Sequence, residues 1–181
     1  MLTEFQKRKL TRYFNFYDVD NNGYIDQDDY ALFAEQVAQA RGWAQGTTGY
    51  EMVMGRFMAD WQVLASFSDT DQNQQITLDE WFEYHKYIFL IDAKHRAGAN
   101  DIISTIFETI DINGDGHITE NEFKIFYGIY GLDAALAEKT FKKIDINRDG
   151  ILTRSEIATL YHQFAHSNDP DAPGNYLFGP L

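Results

Sequence analysis

The chain has no cysteine and only three prolines among 181 residues. Without thiols it has no disulfide framework and no thiolate chemistry. The prolines, Pro170, Pro173 and Pro180, all fall in the last twelve residues, so no proline interrupts a helix before them. No apolar run approaches the roughly 20 residues a membrane span needs. The opening Met1-Leu2-Thr3-Glu4-Phe5-Gln6-Lys7-Arg8-Lys9 reads as the start of an amphipathic helix, not an apolar signal segment, and it lacks the Met-Gly start of N-acylation. A cytoplasmic protein without a membrane partner is expected. A Gly-rich phosphate loop, a nucleophile elbow and a His-Glu-x-x-His zinc motif are also missing, so no catalytic role is expected. Methionine is scarce, four in all, three of them at Met52, Met54 and Met58.

Acid is abundant instead. There are 28 Asp and Glu against 15 Lys and Arg, a formal charge of −13. The excess is concentrated in four twelve-residue segments, 18–29, 69–80, 111–122 and 145–156, which hold 16 acids and two bases, Arg148 and Arg154. Outside them, 13 basic residues face 12 acidic ones. The acidity therefore belongs to four local sites, and the near-neutral remainder gives no reason to expect a nucleic-acid partner.

The third and fourth segments fit D-x-[DN]-x-[DN]-G-x5-E at every specified position. The third carries Asp111, Asn113, Asp115, Gly116, His117 and Glu122; the fourth carries Asp145, Asn147, Asp149, Gly150, Ile151 and Glu156. This spacing encodes the coordination shell of a hard cation. Calcium takes six to eight oxygens at about 2.3–2.6 Å. Side chains at positions 1, 3 and 5 supply some of them, and position 7 supplies its backbone carbonyl. The acid at 12 closes the shell with both oxygens. His117 and Ile151, at position 7, need offer only main chain. Glycine at 6 admits a left-handed backbone that costs other residues roughly 1–2 kcal/mol.

The first two segments each break one rule. The first has Asp18, Asp20, Asn22, Gly23, Tyr24 and Asp26, but closes on Asp29. Aspartate is one methylene shorter than glutamate, so single-oxygen contact and tolerance of Mg2+ alongside Ca2+ are expected there. Asp26, at position 9, adds a further acid. The second has Asp69, Asp71, Asn73, Gln75 and Glu80, but Gln74 stands where glycine belongs. If Gln74 takes the same backbone conformation, a penalty of about 1.4 kcal/mol weakens binding about tenfold. Three to four calcium ions are therefore expected, with the second loop weakest.

Apolar residues recur at helical spacing on both sides of each loop. Examples are Leu10, Tyr13, Phe14 and Tyr17 before the first loop, and Phe123, Phe126 and Tyr127 after the third. Position 8 is Ile25, Ile76, Ile118 or Leu152, where paired loops join through a short two-stranded contact. An all-α fold of four helix–loop–helix hands in two pairs, closed into one compact body, follows. The expected divisions are a first pair at 1–92, a second at 93–166 and a tail at 167–181 packed on the body. Gly42 to Gly49 reads as a turn-rich connection between long helices, and Lys94 to Asn100 as the boundary between the pairs.

This pattern resembles the sarcoplasmic calcium-binding protein family of EF-hand proteins, including its calerythrin-like relatives. The four hands, the lengthened helices between hands one and two, the degenerate second hand and Asp29 closing the first loop carry the resemblance. It implies a monomeric calcium- and magnesium-binding globule, a buffer for which a protein target is possible but not required. The intact ligands of the second loop depart from that family. Two other functions share a four-handed body. A sensor would open to grip a target helix, using Met52, Met54 and Met58. A luciferin-binding protein or photoprotein would enclose an aromatic ligand with residues such as His162, His166, Tyr176 and tryptophan. The apolar tail, with Tyr176, Leu177, Phe178 and Leu181, is expected to fill the cleft between the halves, where a sensor would seat its target.

Overall fold

Helix-capping chemistry cuts this helical chain at regular places. The computed structural model describes the backbone of residues 1–95 and 99–180, and the side chains of these except 90–95 and 99–102. Its helices are α1 (Glu4–Tyr17), α2 (Gln27–Ala40), α3 (Thr48–Ser68), α4 (Leu78–His95), α5 (Ala99–Ile110), α6 (Glu120–Ile129), α7 (Ala134–Ile144) and α8 (Arg154–His166). Thr3, Thr47 and Asp133 cap α1, α3 and α7 with side-chain oxygens; position 9 of a loop caps α2, α6 and α8. Two short strands, β1 (Ile118–Thr119) and β2 (Ile151–Leu152), complete the described elements with a 3-10 turn at Pro173–Tyr176. Of the boundary expected at 94–100, α4 reaches His95 and α5 starts at Ala99, and residues 96–98 lie outside the described residues.

The loops pair as position 8 implies. Ile25 and Ile76 exchange both backbone hydrogen bonds, at 3.0 and 2.8 Å, and β1 pairs antiparallel with β2 in the register Ile118–Leu152. All four position-8 side chains are fully buried. Each bridge thus fixes two loops back to back over a common apolar floor.

The two pairs share one core. Phe16 of α1 packs on Phe126 and Tyr130 of the second pair, and Phe33 of α2 meets Tyr130 at 4.7 Å. Trp81, 2% exposed, donates its indole N–H to the Leu10 carbonyl at 3.0 Å, which satisfies its only polar atom inside the core. Trp43 anchors the connection between α2 and α3, its indole lying where a side chain on Gly49 would otherwise sit.

The chain after α8 folds back between α1 and the second pair. Leu177 and Phe178 are buried. Phe178 stacks on Tyr13 at 4.1 Å and meets Phe164 edge-on at 4.9 Å. Arg12 and Tyr127 donate to the Phe178 and Tyr176 carbonyls at 3.0 and 3.2 Å. Gly174 lets the turn touch α8, because a Cβ there would collide with the Leu160 carbonyl.

Candidate calcium sites

Each loop is suspended between two helix caps. Position 1 closes the entering helix through its amide: Asp18 to Phe14 and Asp69 to Ala65, both at 3.0 Å, and Asp111 to Phe107 and Asp145 to Phe141, both at 2.8 Å. The same residue's carboxylate turns inward and gathers loop N–H groups. Asp18 accepts from Asn22 and Gly23 (2.9 and 3.1 Å), and Asp69 from Asn73 and Gln74 (3.1 and 2.8 Å). Asp111 and Asp145 accept from Gly116 and Gly150 at 3.0 Å. These bonds wrap the backbone around one centre before any ion is considered.

Positions 3 and 5 hold one aspartate and one asparagine in every loop, in opposite order in the two halves. Asn22 donates to Asp20 and Asn73 to Asp71, both at 3.0 Å. Asn113 donates to Asp115 and Asn147 to Asp149, both at 2.9 Å. The position-7 amides of Tyr24, Gln75, His117 and Ile151 donate to the position-5 side chains at 2.7–3.1 Å. The imidazole of His117 is exposed.

Position 12 returns to position 9 in a reciprocal cap. Glu80, Glu122 and Glu156 each accept at 2.9 Å from the amide of the threonine three residues earlier, and Asp29 accepts from Asp26 at 3.0 Å. The other oxygen of Asp29 reaches the Val19 amide at 2.8 Å, and that of Glu80 reaches Thr70 at 2.9 Å. The short acid thus spans the same gap as its longer counterparts. Asp26, read as a ligand, spends Oδ1 on the amides of Asp28 and Asp29 at the start of α2.

Carboxylates converge in consequence. Oxygens of Asp18, Asp20 and Asp29 lie within 4.8 Å of one another, as do those of Asp69, Asp71 and Glu80. Such crowding of like charge is unfavourable unless a cation compensates it. All these donors are hard oxygens, with no sulfur or imidazole among them, so the residues fit calcium or magnesium and not a softer metal.

Two features went unread in the sequence. Position 4 takes a left-handed backbone in every loop, with φ of 58° at Asn21, 59° at Gln72, 73° at Gly114 and 62° at Arg148. At position 6 the glycines of loops 1, 3 and 4 have φ of 86–91°, whereas Gln74 holds 65°. A Cβ on Gly23, Gly116 or Gly150 would meet nothing within 4 Å, so the cost of a side chain at position 6 is conformational, not steric crowding. The second feature separates Asp29 from Glu80. Burial pushes Asp29 up to about 6, with three backbone N–H groups offsetting only part of the penalty. Burial also opposes the charge of Glu80, but N–H and O–H donors from Thr77 and Thr70 outweigh it and bring Glu80 down to about 2. Val19 and Asp26 stand in loop 1 where those threonines stand in loop 2, and neither side chain carries a hydroxyl.

Comparison with known proteins agrees with this geometry. Residues 100–162 match the family model described as an EF-hand domain pair, and residues 11–34 match that of an EF hand. The sarcoplasmic calcium-binding protein of Scylla paramamosain is 28% identical over 177 residues, covering 91% of this chain and 90% of the relative. Calerythrin of Saccharopolyspora erythraea is 24% identical over 145 residues, covering 78% and 81%. The chain carries EF hands and is similar over most of its length to sarcoplasmic calcium-binding proteins. The fold agrees: a sarcoplasmic calcium-binding protein from amphioxus superposes with a TM-score of 0.75 over the whole of both chains at 21% identity. The coelenterazine-binding protein of Renilla muelleri gives 0.75 at 23%, covering 99% of this chain and 100% of that one. No described helix is long and apolar enough to cross a membrane.

The hands are also wired together by arginines. Arg41, at the end of α2, donates to the backbone carbonyls of Glu108 and Asp111, the latter at 3.0 Å. Its guanidinium thereby satisfies carbonyls at the end of α5 and lies favourably on that helix's negative pole. Glu108 receives Arg56 from hand two and Arg154, 3.4 Å away, from loop 4. Sequence offers no signal for this cluster, because each arginine lies 46–70 positions from the group it binds.

Proposed function

We infer that the protein is a reversible calcium buffer of the cytoplasm, closed when filled, with no obligatory protein target. Asp18, Asp20, Asn22 and Asp29 would hold one ion, with the Tyr24 carbonyl. Asp69, Asp71, Asn73 and Glu80 would hold a weaker one, with the Gln75 carbonyl. In loops 3 and 4, Asp111, Asn113, Asp115 and Glu122, and Asp145, Asn147, Asp149 and Glu156, would do the same with the carbonyls of His117 and Ile151. Loop 1 would accept magnesium in place of calcium, since a one-oxygen closure leaves fewer ligands.

The observation that carries the buffer reading is the buried pair Leu177 and Phe178. A sensor works by baring an apolar groove to a target helix; here the chain's own tail lies against Tyr13, Phe16 and Phe164. Methionines line the grooves of adaptable sensors, but Met52 is exposed on α3 and Met54 and Met58 are half-buried. A photoprotein-like role is disfavoured by His162, which is exposed and lies against His166 at 4.7 Å.

Apolar-dye (ANS) fluorescence through a calcium titration at millimolar magnesium tests the reading. Flat or falling fluorescence, with three to four ions bound by calorimetry, is the expected result. A rise as the sites fill would make the protein a sensor.

A further inference from the structure

Away from the calcium loops, residues of α1, α2, α3, α4 and α5 line a cavity of about 160 Å3 that opens to the surface. Its walls are aromatic, with Tyr17, Tyr30, Phe57, Trp81 and Tyr84 among the lining residues. Tyr17 stacks on Tyr30 at 5.4 Å and 13°, while Trp81 meets Tyr17 at 5.9 Å and 57°. The rings therefore turn around a space and do not close it by stacking alone.

Among the described residues, one charged side chain enters this wall. Asp60 of α3 lines the cavity with its side chain 37% exposed, and its buried Oδ2 has no hydrogen-bond donor among the described residues. Arg56 is the cation beside it, but its Nε stays 4.0 Å from Oδ2. The other Arg56 nitrogens serve Glu108 and Thr105. A carboxylate oxygen withdrawn from water and left without a donor is costly. Burial pushes the Asp60 carboxyl upward; Arg56 pulls it down and Glu108 pushes it up again. The negative charge extends to the hydroxyls of Tyr17 and Tyr30, both pushed up by burial first and by Asp60 among their further causes.

His85 brings no compensating charge. Its Nδ1 lies 3.0 Å from the Trp81 carbonyl, so Nδ1 carries the proton and Nε2 is left as an acceptor. Burial holds the ring neutral, down to about 4. The cavity thus offers π-electron density, acceptors and one poorly matched negative charge.

We propose that this cavity binds a small organic ammonium ion, with its charge against Asp60 and its methyl or methylene groups against the surrounding rings. Aromatic rings attract a cation electrostatically, most strongly when it is desolvated. A metal ion would need several oxygens, and the wall supplies one carboxylate among rings. A neutral aromatic ligand would leave Oδ2 of Asp60 as unmatched as before. Size sets a limit too, since an apolar cavity of about 150 Å3 holds one benzene. Val63, 57% exposed, lies at the edge and marks where the cavity reaches the surface. This site is independent of the buffer reading.

Choline and its neutral carbon isostere 3,3-dimethylbutan-1-ol, titrated into the calcium-loaded full chain, separate charge from shape. Calorimetry and tryptophan fluorescence should show saturable one-to-one choline binding, with the isostere at least about tenfold weaker. D60N, its fold checked by near-UV circular dichroism, should weaken choline about tenfold and leave the isostere unchanged. Equal affinity for the two probes, no saturable choline binding, or full choline affinity in folded D60N would overturn the proposal. If D60N does not fold, the two probes on the unaltered protein still decide.

Discussion

Arg41, at the end of the helix leaving the first loop, donates to the carbonyl of Asp111, the first residue of the third loop, at 3.0 Å. The two halves are therefore joined by more than apolar contact, because a guanidinium from one half caps the helix that feeds a calcium loop in the other. Replacing Arg41 with Met keeps length and apolar contact but leaves carbonyls at the end of α5 without their donor. We expect a loss of about 1–3 kcal/mol in urea denaturation. Calcium titration followed at the Gly116 amide by NMR should show loop 3 weakened, with loop 1 less affected. Lysine at 41 should recover part of both. Equal weakening of all loops would mean that Arg41 supports only the fold.

The seat of Phe178 makes a second prediction. A ring 2% exposed, stacked on Tyr13 and edge-on to Phe164, belongs to the core although it lies only three residues before Leu181. Phe178→Ala should cost about 3–5 kcal/mol, within the range for buried phenylalanine truncations. Deleting 170–181 should raise ANS fluorescence in the calcium-loaded protein. Gly174→Ala should act in the same direction by pushing the turn off Leu160. Unchanged stability and dye response in all three would mean that the tail is dispensable.

At Gln74 the structure gives the conformational penalty a location. Its φ of 65° falls short of the 86–91° of the glycines at the same place. Gln74→Gly should raise the calcium affinity of loop 2 several-fold, up to about tenfold. Gln74→Ala keeps the Cβ and should gain little, so the pair separates backbone relief from loss of the side chain. Equal gains in both variants would place the cause in the glutamine amide.

The reach of sequence differs sharply between these cases. A candidate calcium loop is local: twelve consecutive residues carry the proposed ligands, the turn and the two helix caps, so spacing alone sets out all four candidates. The position-8 residues were legible for the same reason, and Ile25–Ile76 and Ile118–Leu152 pair accordingly. Thr70 and Thr77 were present in the motif, but their joint hold on Glu80 appears only when the loop is folded. Left-handed φ at position 4 is hinted at by Asn21 and Gly114, which tolerate it, and concealed by Gln72 and Arg148, which do not advertise it. The arginine cluster and the Asp60 cavity unite helices far apart in the chain. No periodicity encodes such meetings, because each member alone reads as an ordinary helix-surface charge.

His85 supplies the last prediction. Its ring is 2% exposed, 4.0 Å from Trp81, and held neutral by burial down to about 4 from the usual 6.5. A depressed folded-state pKa means that the unfolded chain takes up a proton between these values while the folded chain does not. The stability tied to His85 is therefore complete above pH 6.5 and is lost as pH falls toward 4. At most this amounts to about 3 kcal/mol. Loop carboxylates titrate in the same range, with Asp29 pushed by burial up to about 6, so the wild-type slope alone does not isolate the effect. His85→Phe keeps a ring against Trp81 and removes the proton site. Urea denaturation of both proteins in calcium-free buffer from pH 7 to 4.5 should give a shallower acid loss in the variant, most clearly between pH 6.5 and 5.5, where the titration of Asp29 is common to both proteins. Parallel curves through that window would show that the imidazole is protonated in the folded protein as readily as in water, and that the core around Trp81 admits charge.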